Sequence, residues 1–457
     1  MGNALNPELV VDFERVLAAL NVRAAENVIK PSLDRIEYLL KILGEPHRAY
    51  DVIHVAGTNG KTSTCRMIES LLCESGLNVG LTTSPHLHDI RERIRMYGQP
   101  IEFERFIETF DDIEPYLQMT DTEFVGDVSL SYFETLTAMA FAAFADAPVD
   151  VAVIEVGLGG RWDATNVVVP KVCVITPIGL DHQDYLGDTI EQIAAEKAGI
   201  IKAGSIVVCG HQTEAALNVI VNKANEVGAA LLLQDRDFGV VDRRLAIGGQ
   251  IIGIRGIGGY YDEIVLPLHG AHQANNAALA FAAVEAFFGV GVDGRELDAE
   301  LVTTSFGKVT SPGRLEVVRR GPTVIVDAAH NPHGAHALAE AVEEEFSFTT
   351  LIFVLAMFRD KDAAGFIREI EPLADKIVVT TTKNERSDDV ASLFTKATDV
   401  MDSDDIEQAA DLATAIDRAI ALADEKMSRE DESVGIVVTG SVFTAAQARA
   451  LLGRKRA

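Results

Sequence analysis

Residues 51–64 read DVIHVAGTNGKTST, and this stretch decides the fold. Residues 51–55 are a short apolar run, the pattern of a strand covered on both faces. The loop Gly57-Thr58-Asn59-Gly60-Lys61-Thr62 follows, and 62–74 then reads as a helix that Gly76 stops. Strand, glycine-containing loop and helix N-terminus in that order form a phosphate cradle. Backbone N–H groups and the helix end hold the anion, Lys61 reaches the terminal phosphates, and the Thr62 hydroxyl is placed to ligate Mg²⁺. Gly60 and Asn59 let the backbone curl, and Ser63 closes the loop. The commoner form of this loop has another glycine where Val55 stands, so the motif is a variant.

Working outward, helix and strand patterns alternate, which predicts an α/β protein with mostly parallel sheets. Residues 8–20 and 32–43 read as amphipathic helices. Residues 79–82, 151–156, 172–176 and 206–209 read as buried strands, 189–201 as a helix. Between 237 and 268 short alternating segments separated by glycine predict antiparallel strands at a domain edge. An Ala-rich helix over 275–288 follows. Near 306–312 the pattern restarts, with strands over 323–327, 350–354, 377–381 and 436–439 and a helix after Pro332. The expectation is an α/β domain carrying the phosphate loop over 1–308 and a second, smaller α/β domain over 309–457. The run SREDESV (428–434) reads as a solvated acidic loop.

The chain has 457 residues, 48% of them apolar, and a net charge of −29. That charge argues against general nucleic-acid binding, which needs a basic footprint. It also means that anionic ligands must find their positive potential locally, in Lys, Arg, metal ions and helix ends. No apolar run reaches the ~18 residues of a membrane span, and residues 1–15 show no signal peptide. Four separated cysteines, Cys65, Cys73, Cys173 and Cys209, read as free thiols of a reducing cytoplasm.

Further candidates sit just past strands, where side chains face a ligand crevice. Glu155 ends 151–156 and precedes Gly157-Leu158-Gly159-Gly160; it suits Mg²⁺, or else caps a loop. His182 follows 172–176; Mg²⁺ prefers oxygen, so a hydrogen-bonding loop histidine is an equal reading. Ser84-Pro85 starts a turn after 79–82. Arg91, Arg93 and Arg95 alternate, either as one cationic side of an extended segment or as a solvated face. Phe133 and Glu134 begin an apolar helix, Phe133 being a core residue or a stacking surface.

Nine stretches, in order, carry a resemblance: HVAGTNGKTS (54–63), TTSPHLHDIRERI (82–94), YFETLTAMAF (132–141), EVGLGGRWDATNV (155–167), LDHQDYLG (180–187), EKAGIIK (196–202), GAHQANNAALA (270–280), SPGRLE (311–316) and DAAHNPHG (327–334). Together they resemble the folylpolyglutamate synthase/dihydrofolate synthase branch of the Mur ligase family. The resemblance implies an ATPase domain joined to a smaller Rossmann-like domain, with the active site in the cleft. It implies ATP and two Mg²⁺ ions, and the substrates dihydropteroate, reduced folates and L-glutamate. By resemblance Thr62, Ser84, Glu155, His182 and a carbamylated Lys197 hold metal. Phe133 and Asp163 meet the pterin, Asn276 (with His272 and Gln273) the adenine, and Arg314, Asp327 and His330 the nucleotide. Lys61, Lys197 and His330 are the expected catalytic groups, His330 as a weak candidate for the base. A cytoplasmic monomer is the family's habit. Two departures are small: Thr62 where many members have glycine, and Ala328 where many have glycine.

Three rivals remain in view. A ligase restricted to extending reduced folates shares the motifs. A cell-wall ligase would carry a nucleotide-sugar domain before the loop, and the 56 residues preceding Gly57 read as two helices. A regulatory nucleotide switch would show a guanine-recognition motif such as NKxD, which is not found.

Overall fold

The structure is a computed structural model that describes residues 6–24, 31–125, 128–291, 295–429 and 433–453. Its first sheet has, among the described residues, eight strands in the order Gln99–Pro100, Ile94–Met96, Val79–Thr82, Val151–Glu155, Asp51–Ala56, Val172–Ile175, Ile206–Cys209 and Ala230–Leu233. The last six run parallel, and the first two form an antiparallel edge.

Burial on both faces explains the continuous apolar strands. Ile53, Val55, Val151 and Val153 point into the core beneath the helices Lys61–Glu74 and Ala271–Phe288. Val52, Ala152 and Ile154 point the other way, into a core built by Phe103–Glu123 and Tyr132–Asp146. The latter helix is started by a capping box, Ser131 with Glu134. From Asp51–Ala56 the chain crosses toward one edge; after Val151–Glu155 it crosses to the other. The strand order therefore reverses beside Asp51–Ala56, and a crevice opens at the carboxyl end of that strand.

The expected antiparallel segment is a three-stranded meander, Gly239–Ala246, Gly249–Arg255 and Tyr260–Leu266. Its Ile252, Ile254, Ile264 and Leu266 pack into the core shared with the Ala-rich helix.

Helix Ala299–Gly307 ends the first series, and a six-stranded sheet follows: Glu316–Arg319, Thr323–Val326, Val434–Thr439, Thr350–Leu355, Lys376–Val379 and Ile406–Gln408. All pairings are parallel except the first. The carboxyl ends of the central strands of this sheet face the crevice of the first, as the side-chain contacts below establish.

Three expectations need correction or adjustment. Arg91, Arg93 and Arg95 do not share an extended segment, because Ile90–Arg93 is a 3₁₀ turn that Asp89 caps. Arg91 pairs with Asp89 at 2.9 Å and stacks on Phe103, while Arg95 pairs with Glu69 at 3.1 Å. Those guanidiniums tie the local structure together and do not form an anion stripe. The helix over 189–201 is shorter: Thr189 caps Ile190–Lys197, and a 3₁₀ turn, Ala198–Ile200, carries the chain out. The acidic run 428–434 falls partly on 430–432, outside the described residues. All four cysteines are free, and all but Cys73 are buried.

Candidate active site

The loop after Asp51–Ala56 is pinned from below. Thr58 donates its N–H to Pro177 O at 3.0 Å, and its hydroxyl exchanges bonds with the backbone of Gly179 at 3.1 Å. Gly57 (φ +151°) and Gly60 (φ +86°) lie where other residues are strained. A Cβ on Gly57 would sit 1.8 Å from Thr176 Oγ1, and one on Gly60 2.6 Å from Asn276 Oδ1. Gly57→Ala is therefore expected to displace the loop and cost ~1–3 kcal/mol of nucleotide affinity. Calorimetric titration with an ATP analogue measures this; unchanged affinity would show that the loop adapts. No side chain caps the helix that starts at Lys61, so its first N–H groups face the loop mouth. Lys61 Nζ folds back onto Gly57 O (3.1 Å) and Thr58 O (3.0 Å). Burial holds its ammonium below the usual range, partly offset by Glu155 and Asp181. Ser63 turns aside: its hydroxyl meets Ser311 at 2.9 Å, joining the domains. Asn59 likewise bonds Asn331 (3.1 Å) and His333 (2.8 Å) of the second domain.

The neighbouring strand ends supply oxygen. Thr62 Oγ1 donates to both Glu155 oxygens, at 2.8 and 3.0 Å, and Ser84 N lies 3.4 Å from Oε2. Burial raises the Glu155 carboxyl, opposed by Lys61 and the Thr62 bond. A hydroxyl and a carboxylate beside a phosphate cradle fit Mg²⁺, which takes oxygen ligands and keeps several from phosphate and water. Among the described residues no three His, Cys, Asp or Glu side chains cluster as a metal cage.

On the other side of the loop lies Lys197, its Nζ donating to Gly57 O at 2.8 Å. Burial, with Lys61 nearby, lowers its pKa to about 7. His182, in a left-handed conformation (φ +52°), is lowered to about 3 by burial, so its ring is neutral at physiological pH and able to ligate. Beside it Asp181 collects three groups from the second domain: Lys361 Nζ at 2.5 Å, Asn331 Nδ2 at 2.9 Å and His330 Nε2 at 3.3 Å. Burial alone would raise Asp181, but His330, His182 and Lys361 hold it well below the carboxylate range. Lys361 also lies 3.3 Å from His182 Nε2.

His330 Nδ1 faces Ala328 O at 3.0 Å and its Nε2 faces Asp181 at 3.3 Å. Asp327 accepts from Leu315 N (2.8 Å) and Ala329 N (2.7 Å), bracing the segments that carry Arg314 and His330. Arg314 makes no ion pair among the described residues. It borders a cleft of about 1180 Å³ at the domain joint, with Leu315, His269 and Phe346. Asn276 bonds Gln273 at 3.2 Å and abuts Gly60.

Phe133 is half-buried, its ring against Gly157, where a Cβ would approach to 2.5 Å. Asp163 has a local task. One oxygen accepts from Leu158 N (2.8 Å), the other from Thr165 N (3.0 Å) and Thr165 Oγ1 (2.5 Å). Thr165 in turn meets His54 Nε2 at 2.9 Å, in the buried strand that feeds the phosphate loop. Asp163 thus holds the Gly157–Gly160 turn in shape. Asp181, Asn331 and Lys361 were missed by sequence reading; the signal for the last was RDKD (359–362) just past a buried strand.

A phosphate cradle, a hydroxyl–carboxylate pair beside it and a second domain reaching onto the loop are the build of an ATP-dependent ligase made of two α/β units. The Mur ligase middle domain matches residues 55–284, and the Mur ligase glutamate ligase domain matches 313–441. The dihydrofolate synthase/folylpolyglutamate synthase of Mycobacterium tuberculosis is 46% identical over 470 residues, covering 99% of this chain and 96% of that protein. That of Escherichia coli is 33% identical over 428 residues, covering 93% and 92%. The crystal structure of M. tuberculosis folylpolyglutamate synthase complexed with ADP and AMPPCP superposes with a TM-score of 0.93 at 46% identity, covering 98% of this chain and all of that one. E. coli FolC in complex with DHPP and ADP gives 0.82 at 30% identity, with 100% of each covered. The chain belongs to the Mur ligase family, in its dihydrofolate synthase/folylpolyglutamate synthase branch.

Proposed function

We propose that the chain joins L-glutamate through its α-amine to the carboxyl group of dihydropteroate and, in a second use of the same site, to reduced folates. The observation that carries this is the meeting of Lys61, the Thr62–Glu155 pair and Lys197 at one loop, onto which the second domain sets Ser311, Asn331 and His333. The relatives named for both synthase activities, and the FolC structure holding DHPP with ADP, supply the substrate class.

A free carboxylate is a poor acylating agent because oxide would have to leave. Moving the γ-phosphoryl group of ATP onto it makes an acyl phosphate with a good leaving group. That step is mainly positioning and charge neutralisation. The loop N–H groups and Lys61 hold the transferring phosphates, and Arg314 adds charge from the joint. The glutamate amine, as its free base, then attacks the acyl carbon, phosphate leaves, and an amide remains. Thr62, Glu155 and Ser84 would hold one Mg²⁺, and His182 with a carbamylated Lys197 a second. Bound there, the ions neutralise phosphate charge. The cleft beside Arg314 has room for the base and ribose. Phe133 lines the acid's side of the site and Asp163 shapes it.

No helix among the described residues is long and apolar enough to cross a membrane. We place the reaction in the cytoplasm, where ATP and folates are available, and assign it to the monomer.

The test is ADP release with ATP, Mg²⁺ and L-glutamate, with dihydropteroate or tetrahydrofolate as the acid. Turnover of both is expected. Turnover of tetrahydrofolate alone would make the protein a tail-extending synthase, and turnover of neither would end the folate reading.

A further inference from the structure

The ion pair between Asp181 and Lys361 spans the domains' facing crevices, each side chain being 7% exposed. Asp181 belongs to the loop that follows Val172–Ile175, and Lys361 to the turn that follows Thr350–Leu355. The two are therefore carried on carboxyl ends of opposite sheets. The contact is extended by Asn331, which donates to both Asp181 (2.9 Å) and Asn59 of the phosphate loop (3.2 Å), and by His330 on the second carboxylate oxygen. One carboxylate thus gathers a cation, an amide and an imidazole from across the joint, and the same amide reaches the loop that holds the phosphates.

We infer that Lys361 is a positioning residue: with Asp181 it latches the second domain onto the phosphate loop and keeps water from the acyl phosphate. The inference rests on the ligase reading above. A buried pair is costly to desolvate and gains its energy only when the geometry closes, so it behaves as a two-state contact. With the domains apart, both charges return to water. With them together, Asn59, Asn331 and His330 are held in register. If the latch fails, phosphoryl transfer still forms the acyl phosphate, but water attacks its carbon in place of the amine. Phosphate then leaves, and the starting acid is regenerated. ATP is consumed without amide formation.

The test uses the full-length enzyme and two readouts. The first is the separation of fluorophores placed on the two domains, with and without a non-hydrolysable ATP analogue and Mg²⁺. The second is ADP released per amide formed. Lys361→Met is expected to reduce the analogue-induced closure. It should also lower amide formation by about 100-fold, the scale of a misplaced reacting pair, with the ADP-to-amide ratio rising above the wild-type value. Lys361→Arg should restore part of the closure and of the coupling. If Lys361→Met does not fold, the isosteric Asp181→Asn takes its place with the same expectations. Wild-type closure together with a wild-type ratio in either variant would overturn the latch. A wild-type enzyme that turns over no folate acid would defeat the ligase reading, while the closure measurement, which needs only the nucleotide analogue, would still judge the latch.

Discussion

Lys61→Met should lower the rate of ADP formation by ~10³-fold, the scale of removing a cation from a transferring phosphoryl group. The side chain is half-buried and held below its usual pKa by desolvation, and among the described residues its ammonium meets the carbonyls of Gly57 and Thr58. A half-buried cation facing two carbonyls at the mouth of an anion cradle is set up for phosphate. The same fact predicts a second, opposite result. Without nucleotide the cation is a burden on the fold, so methionine, which keeps the apolar stem, should leave the thermal midpoint unchanged or raise it. Paired melting curves and ADP-release assays check both halves. Full activity would remove Lys61 from the mechanism, and a collapsed midpoint would make its role structural.

The second large effect is expected at Lys197. Its amine, with a pKa of about 7, is roughly half neutral at neutral pH, and a neutral amine adds to CO₂. Lys197→Ala should cost about 10²–10³-fold in turnover, comparable to deleting a group that stabilises charge in the reacting complex. Wild-type enzyme incubated without bicarbonate should lose activity that added bicarbonate restores, more completely at about pH 8 than at about pH 6, because only the neutral amine reacts. The stability linkage has the same direction. The folded-state pKa lies below the ordinary 10.5, so between about 7 and 10.5 the unfolded chain binds more protons and stability rises with pH. Indifference to bicarbonate at both pH values would leave Lys197 a plain amine on Gly57 O.

The phosphate loop was legible because its strand, turn and helix are contiguous: Gly57 and Gly60 are demanded by local geometry. The positions of Glu155 and His182 were legible because the end of a buried parallel strand is a known place in the fold. Arg91 and Arg95 misled because their partners, Asp89 and Glu69, are ordinary carboxylates whose proximity depends on the chain's turns. The local bonds of Asp163 were hidden for the same reason; their partners lie within five residues, but only a particular turn brings them to it. The strands Glu316–Arg319 and Ile406–Gln408 are short edges with charged residues and leave no apolar run to see. Lys361 was hidden most deeply, since RDKD reads as a solvated turn until the second sheet is laid against the first.

Asn59 and Asn331 are 272 positions apart and exchange hydrogen bonds. The consequence is for how such a chain can change over time. A drift in the loop of one half alters the partner that the other half must present, and neither substitution is neutral alone. The seam is inherited as one unit, and variation at its two sides is expected to arrive in pairs.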